Sequence, residues 1–209
     1  MIDKFLTGDE SQIVQESLRL EEMPSGDLVV DVGGAMCLMP RANYVVDRIP
    51  FESRWMTSAR NHYRPRVTPD KWIVADACKP MAYFSDKAFD YSICSQTVED
   101  VRDPIGLVAE LSRISKSGFI STVHWTQETQ SFEGDWAGYS HHRWLVNVHD
   151  GVLEFIDKPI YLKPRFWGSR NPLLHLWWSS EVSAVEVFYE GRPDSQEFIH
   201  FVEDRWGLD

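Results

Sequence analysis

The chain has 209 residues, with 21 Lys and Arg against 32 Asp and Glu and a formal net charge of −11. Apolar residues make up 43% and charged residues 25%, an ordered globular composition, and one domain of this length buries most of its apolar surface without staples. The acidic balance argues against nucleic acid or an anionic membrane surface as partner, since both need a basic footprint.

In chain order, Thr7 to Met23 reads as a first helix. Ile13, Val14, Ser17, Leu18 and Leu20 form its stripe, Thr7 or Asp9 is the candidate N-cap, and Pro24-Ser25-Gly26 ends it. Four apolar runs follow: Leu28 to Val30, Tyr44 to Val46, Trp72 to Ala75, and Phe89 to Cys94. Continuous rather than alternating apolar runs suit a parallel sheet covered on both faces. The first three run into Asp31, Asp47 and Asp76, and the fourth into Ser95-Gln96. Ligands of open parallel sheets sit beyond the carboxyl ends of the strands, so an acid placed there three times is a site pattern as well as a turn pattern.

Asp103-Pro104 opens a second helix, with Ile105, Val108, Leu111 and Ile114 on one face and Gly118 as its stop. Phe119 to Val123 is a fifth strand. Trp144 to Val148 and Val152 to Ile156 flank His149-Asp150-Gly151, an Asp-Gly hairpin signal. Ala184 to Tyr189 reads as a strand and Ser195 to Trp206 as a closing helix.

Adjacent glycines at Gly33-Gly34 let the backbone turn sharply against a ligand. Asp47 ends the second strand, where a carboxylate can accept from both hydroxyls of a ribose. Only 12 residues, Val32 to Asn43, separate the first two strands, and Pro40 would end a short helix there, so the pocket edge falls to Met36 or Arg41.

The order Leu28-Val29-Val30-Asp31-Val32-Gly33-Gly34, Tyr44-Val45-Val46-Asp47 and Ile73-Val74-Ala75-Asp76-Ala77 resembles class I S-adenosylmethionine-dependent methyltransferases. So does Phe89 to Pro104, and Ala109 to Gly118 resembles the helix and turn before that family's fifth strand. Glu99-Asp100-Val101-Arg102-Asp103-Pro104 and Tyr139-Ser140-His141-His142-Arg143-Trp144 point to a bacterial small-molecule methyltransferase-like subgroup.

The resemblance implies an α/β, Rossmann-like fold, with a mostly parallel central sheet and an antiparallel hairpin at the C-terminal side. It implies one domain over 1–209, with an N-terminal helix in 1–26, a cofactor-binding core over 27–123 and substrate-side elements over 124–209. S-adenosyl-L-methionine is the implied cofactor. Asp31, Gly33 and Gly34 would lie beside its methionine part, Asp47 on the ribose, Asp76 and Ala77 at the adenine, and Ser95 and Gln96 under the methyl. Where relatives carry histidines near the fourth strand, this chain has Gln96 and Asp100.

The candidate catalytic bases are His124, His141 and His142. Neighbours on an extended strand point to opposite faces, so an extended stretch would turn only one of His141 and His142 into a pocket. Glu99, Arg143 and Trp144 are the candidate substrate-side residues, with Glu99 alternatively accepting backbone N–H groups near the next helix. The basic stretch Arg60 to Arg66 is a candidate cover for the site or a solvated loop.

No metal is expected, because the histidines lack ligand spacing and no cysteine lies nearby. Cys37, Cys78 and Cys94 form no C-x-x-C pair and read as reduced thiols, and the nine tryptophans as core packing. No run approaches the ~20 apolar residues of a membrane span, and Met1-Ile2-Asp3-Lys4 does not open a signal peptide, so a cytoplasmic location is expected.

The leading expectation is therefore methyl transfer to a small molecule, with a specialised metabolite in view and no nucleic acid or membrane partner. Its rival is a methyltransferase-fold protein that has lost catalysis and serves as a binding partner. A nicotinamide dehydrogenase would need a G-x-G-x-x-G turn, which is absent.

Overall fold

The computed structural model describes residues 1–36, 38–54, 67–133, 135–165, 172–193 and 196–207. The Arg60 to Arg66 stretch, Cys37 and Ser195 lie outside them.

The strands are β1 (Ile2–Gly8), β2 (Val29–Val32), β3 (Tyr44–Asp47), β4 (Trp72–Val74), β5 (Phe89–Ser95), β6 (Ser115–Val123), β7 (Ser131–Glu133), β8 (Trp136–Ala137), β9 (Trp144–His149), β10 (Val152–Asp157), β11 (Leu173–Ser179) and β12 (Ala184–Glu186). The helices are α1 (Ser11–Glu22), α2 (Pro104–Ile114), α3 (Trp125–Glu128) and α4 (Gln196–Trp206). A seven-stranded sheet runs β1-β11-β6-β5-β2-β3-β4. Its members from β6 to β4 pair in parallel, and β11 is antiparallel to both β6 and β1. This is a Rossmann-like α/β sheet, as the apolar runs predict.

Side chains alternate across that sheet. Val29, Tyr91, Ile93 and Phe119 pack with Ile13 and Leu20 of α1 on one face. Val30, Val32, Cys94 and Ile120 pack with Leu107, Val108, Leu111 and Ile114 of α2 on the other. Each such fully buried aliphatic side chain contributes about 1.5–3 kcal/mol of transfer free energy. Glu16 anchors α1 from within, accepting from Tyr91 Oη at 2.6 Å and Trp177 Nε1 at 2.7 Å.

The ends of both helices differ from the sequence expectation in instructive ways. Thr7 belongs to β1, and α1 starts only at Ser11, with Asp9 Oδ1 accepting the Ser11 N–H. At α2 the Asp103 side chain caps as expected, accepting from Gly106 N at 2.8 Å. However, α2 stops at Ile114, and Gly118 lies inside β6, where an added Cβ would come 2.6 Å from the Ser92 carbonyl oxygen. Gly118 is thus a close-packing residue of a central strand, not a helix stop.

The hairpin β9–β10 forms as its turn chemistry dictates. Asp150 and Gly151 both have positive φ, 50° and 74°, the two-residue turn that matches strand twist. It lies outside the central sheet, in a three-stranded sheet of order β12-β10-β9. Trp144, Val146, Val148, Leu153 and Phe155 face the α2 core, while Leu145 and Ile156 face α4. Glu154 fastens α4, accepting from Arg205 Nε at 2.7 Å and Trp206 Nε1 at 2.8 Å. Gly151→Val should cost about 1–2 kcal/mol, because a β-branched residue resists positive φ, and a denaturant titration would show it. An unchanged midpoint would mean that the turn can change type freely.

Among the described residues, no helix is long and apolar enough to cross a membrane.

Candidate active site

Beyond β2 the chain turns at Gly33, whose φ is +84° and whose N–H is held by the Val46 carbonyl at 2.9 Å. A Cβ on Gly33 would sit 2.2 Å from Thr97 Oγ1, and one on Gly34 2.5 Å from Asp31 Oδ2. Both glycines are therefore required by close approach. The Gly33 contact lays the segment after β5 directly on the glycine turn.

Asp31 is buried and reaches along the turn to accept the Met39 N–H at 2.8 Å. Asp47, also buried, accepts from Ala35 N at 2.9 Å and Ile49 N at 2.8 Å. Its two oxygens thus brace the loops on either side of the site, and each keeps acceptor capacity for a further donor. The described residues of 33–42 form no helix, in keeping with the short connection. Met36 is half exposed there. Arg41 does not line a pocket edge: it is buried and donates to Asn43 Oδ1 and to the Pro24 and Asp27 carbonyls, holding the entry to β2.

Asp76 lies at the surface, accepting from Cys78 N at 3.1 Å and pairing with Arg102 Nη2 at 2.6 Å. Those bonds, Arg102 first, hold its carboxyl below the usual range. Ala77 is partly buried against the α2 core. At the end of β5, Ser95 Oγ is buried without a hydrogen-bond partner among the described residues. Gln96 takes a positive φ of 52° and is exposed, its N–H bonded to the Ser121 carbonyl at 2.7 Å. Strain of this kind at a strand end recurs at ligand sites.

The next residues enter a buried polar network. Glu128 is fully buried. Its Oε1 meets His142 Nδ1 at 2.8 Å, and its Oε2 accepts from Lys158 Nζ at 2.5 Å and from Tyr139 N at 3.3 Å. Gly138, at φ +65°, passes so close that a Cβ would sit 2.2 Å from Glu128 Oε2. Burial works against the charge on Glu128, but His142 and Lys158 outweigh it and lower its pKa. Burial likewise opposes a charged His142, but the bond to Glu128 and the charges of Glu128, Glu99 and Asp100 outweigh it and raise its pKa.

His141 and His142 are not on an extended strand. They end a turn, with His142 N bonded to the Tyr139 carbonyl at 3.2 Å, and their rings meet edge to face at 4.4 Å. The alternation expected of a strand therefore does not apply, and both rings approach Asp100. One ligand atom each from Asp100, His141 and His142 lie within 4.8 Å of one another. Asp100 is half-buried, and burial raises its carboxyl above the usual range.

Glu99 is fully buried, and burial raises its carboxyl to about 7. Neither of its carboxylate oxygens has a hydrogen-bond partner among the described residues. Its main-chain carbonyl accepts from Arg143 N at 2.8 Å and Trp144 N at 3.3 Å. The Trp144 indole N–H donates to the Val101 carbonyl at 2.8 Å, so Trp144 pins the loop that carries Glu99 and Asp100. The Arg143 side chain is exposed. His124 stands outside the three-residue cluster: it caps α3, its Nδ1 paired with Thr126 Oγ1 at 2.7 Å.

The network around Glu128 and Lys158 had no sequence signal, because its members are scattered polar residues in ordinary contexts. The HHRW string alone hinted at it.

Residues 31–121 match the family model described as Methyltransferase domain. No curated protein matches the sequence. Among solved structures, the chain is similar to a proposed methyltransferase from Bacillus halodurans (15% identity, 54% of this chain and 52% of that chain, TM-score 0.42). It is similar to the proposed methyltransferase bound to the Haloferax volcanii Trm112 methyltransferase activator (16% identity, 82% and 92%, TM-score 0.46). It is also similar to an S-adenosylmethionine-dependent methyltransferase from Mesorhizobium loti (18% identity, 70% and 62%, TM-score 0.40). The chain spans about half the length of the Bacillus halodurans protein. The glycine turn and the parallel strands β3, β4 and β5 all lie within the segment 31–121 that matches the methyltransferase domain model, on a sheet of Rossmann-like order.

Proposed function

We propose that the chain transfers the methyl group of S-adenosylmethionine to a small-molecule acceptor in the cytoplasm, with a specialised metabolite as the target class. The observation that carries this reading is the contact of Thr97 with Gly33, which sets the Glu99–Asp100 loop and its histidines on the glycine turn. The residues present fit the cofactor: acidic strand ends for a cation, and Ser95 Oγ buried with no partner among the described residues.

S-adenosylmethionine, when bound, supplies a methyl on cationic sulfur, already activated for in-line displacement. The chain's share is orientation and exclusion of water, which can supply much of the acceleration. Asp31, Gly33 and Gly34 shape the methionine side, Asp47 takes the ribose hydroxyls, and Asp76 with Ala77 edges the adenine. Ser95 and Gln96 close the floor. On the acceptor side stand His141, His142, Glu99 and the exposed Arg143, with Trp144 as a positioning residue and His124 at the base of α3. The histidine pair orients the acceptor and takes its proton where the acceptor must lose one. The net charge of −11 speaks for a small molecule over nucleic acid.

Calorimetric titration with S-adenosylmethionine and S-adenosylhomocysteine tests the reading, with micromolar binding expected. Asp47→Ala, shown folded by circular dichroism, should weaken binding at least about tenfold, since hydrogen bonds to a charged group contribute about 1.5–3 kcal/mol each. Unchanged affinity would remove Asp47 from the ribose. A second reading, a fold kept for partner binding after loss of catalysis, is favoured by the lack of helix among the described residues of 33–42 and by the backbone bonds that already engage Asp47. A folded wild-type chain that binds neither ligand would establish it.

A further inference from the structure

We propose that Asp100, His141 and His142 form a binding site for a divalent first-row transition-metal ion. This deepens the methyl-transfer reading, with ligation of the ion taking the place of proton acceptance by the histidine pair, and rests on that reading only for the reaction that the ion would serve. Metal was not expected from the sequence, because the ligands come from two distant loops and show no ligand spacing.

The geometry is that of a three-ligand site with open positions. The three ligand atoms lie within 4.8 Å of one another, and His142 Nε2 stands 3.8 Å from Asp100 Oδ1. That separation is too long for a hydrogen bond. It approaches the spacing of two atoms that share an ion at bond lengths of about 2.0–2.2 Å. Asp100 Oδ1 is itself buried with no hydrogen-bond partner among the described residues.

His142 is prepared as a ligand. Its Nδ1 is engaged by Glu128 at 2.8 Å, which keeps a proton on Nδ1 and leaves Nε2 facing Asp100, free to bind an ion once it releases its own proton to solvent. A carboxylate behind a histidine is the usual outer-shell support of a metal site. Glu128 is held in turn by Lys158 at 2.5 Å.

A second, independent observation points to a cation. The Glu99 carboxylate has 0% exposure, neither oxygen has a hydrogen-bond partner among the described residues, and it lies near enough to His142 for their charges to interact. An unpaired buried carboxylate is costly, and a divalent charge nearby offsets that cost. His141 is exposed and gives the ion a path from solvent, with the open positions left for an acceptor oxygen or water. Two imidazoles and one carboxylate favour zinc, iron, cobalt, nickel or manganese over magnesium or calcium.

The test is calorimetry of the tag-free, metal-stripped chain with Zn²⁺, and with Mg²⁺ in parallel, together with the visible spectrum after Co²⁺ addition. One Zn²⁺ per chain with micromolar or tighter affinity is expected, together with a cobalt ligand-field band. Asp100→Asn and His141→Ala, both at accessible positions, should each weaken Zn²⁺ binding at least tenfold while leaving S-adenosylmethionine affinity unchanged. Glu128→Gln should weaken it about 10–100-fold through His142. Failure to bind Zn²⁺ at 100 μM would overturn the proposal, as would equal Zn²⁺ affinity in wild type and Asp100→Asn, or a preference for Mg²⁺. Zn²⁺ binding without S-adenosylmethionine binding would overturn the function above and leave the metal site standing. The converse result would overturn the metal site alone.

Discussion

Replacing Glu128 with alanine is expected to lower the unfolding free energy by about 3–5 kcal/mol, the largest effect of any single change considered for this chain. Glu128 is fully buried, and its partner Lys158 is only 6% exposed. Removing the carboxylate leaves an ammonium buried beside two carbonyl oxygens, those of Tyr139 at 2.6 Å and Ala137 at 3.4 Å, without its counter-charge. It also frees His142 Nδ1 and the Tyr139 N–H. The comparison that isolates the cause is Glu128→Ala with Lys158→Met. Removing both charges should recover much of the loss, because a buried pair replaced by apolar groups is often neutral. Urea titration of the two variants decides it. A single-variant loss below about 1 kcal/mol would mean that water reaches Lys158 readily and that the network is not sealed.

Gly33→Ala should cost about 2–5 kcal/mol and abolish measurable S-adenosylmethionine binding. Two separate terms add. The residue holds φ at +84°, which costs an L-residue about 1–2 kcal/mol. Its new Cβ would also fall 2.2 Å from Thr97 Oγ1 and 2.9 Å from Thr97 Cβ, which forces an overpacking shift of about 1–3 kcal/mol. A double variant separates them. Thr97→Gly in the Gly33→Ala background removes the clash and leaves the φ term, so part of the stability should return. If the double variant is no more stable than Gly33→Ala, Thr97 already yields and the backbone term is the whole effect.

Much of the frame was legible along the chain. The apolar runs ending in Asp31, Asp47 and Asp76 became β2, β3 and β4; β2 and β3 are buried as such continuous runs suit, while β4 is the edge strand with Val74 exposed. The Asp103 cap and Pro104 start of α2, and the Asp150-Gly151 turn, are local devices that act within a few residues, and both formed as expected. The acidic strand ends and the HHRW string marked the neighbourhood of the candidate site.

What the sequence by itself determined, then, was the class of sheet, the glycine turn and which residue types collect at its carboxyl edge, since these follow from local patterning. Only the tertiary structure decided the rest. It recruited β1 and β11 into the sheet, pairing Ile2 with Trp178, a match with no local signal because its partners lie at opposite ends of the chain. It turned His141 and His142 to one side by ending them in a turn rather than a strand. It sealed Glu99 and Glu128 away from water, where burial raises the carboxyl of Glu99 while His142 and Lys158 outweigh burial and keep that of Glu128 low. Propensity and capping act over one turn of chain, whereas desolvation and charge pairing depend on which distant segments close over a residue.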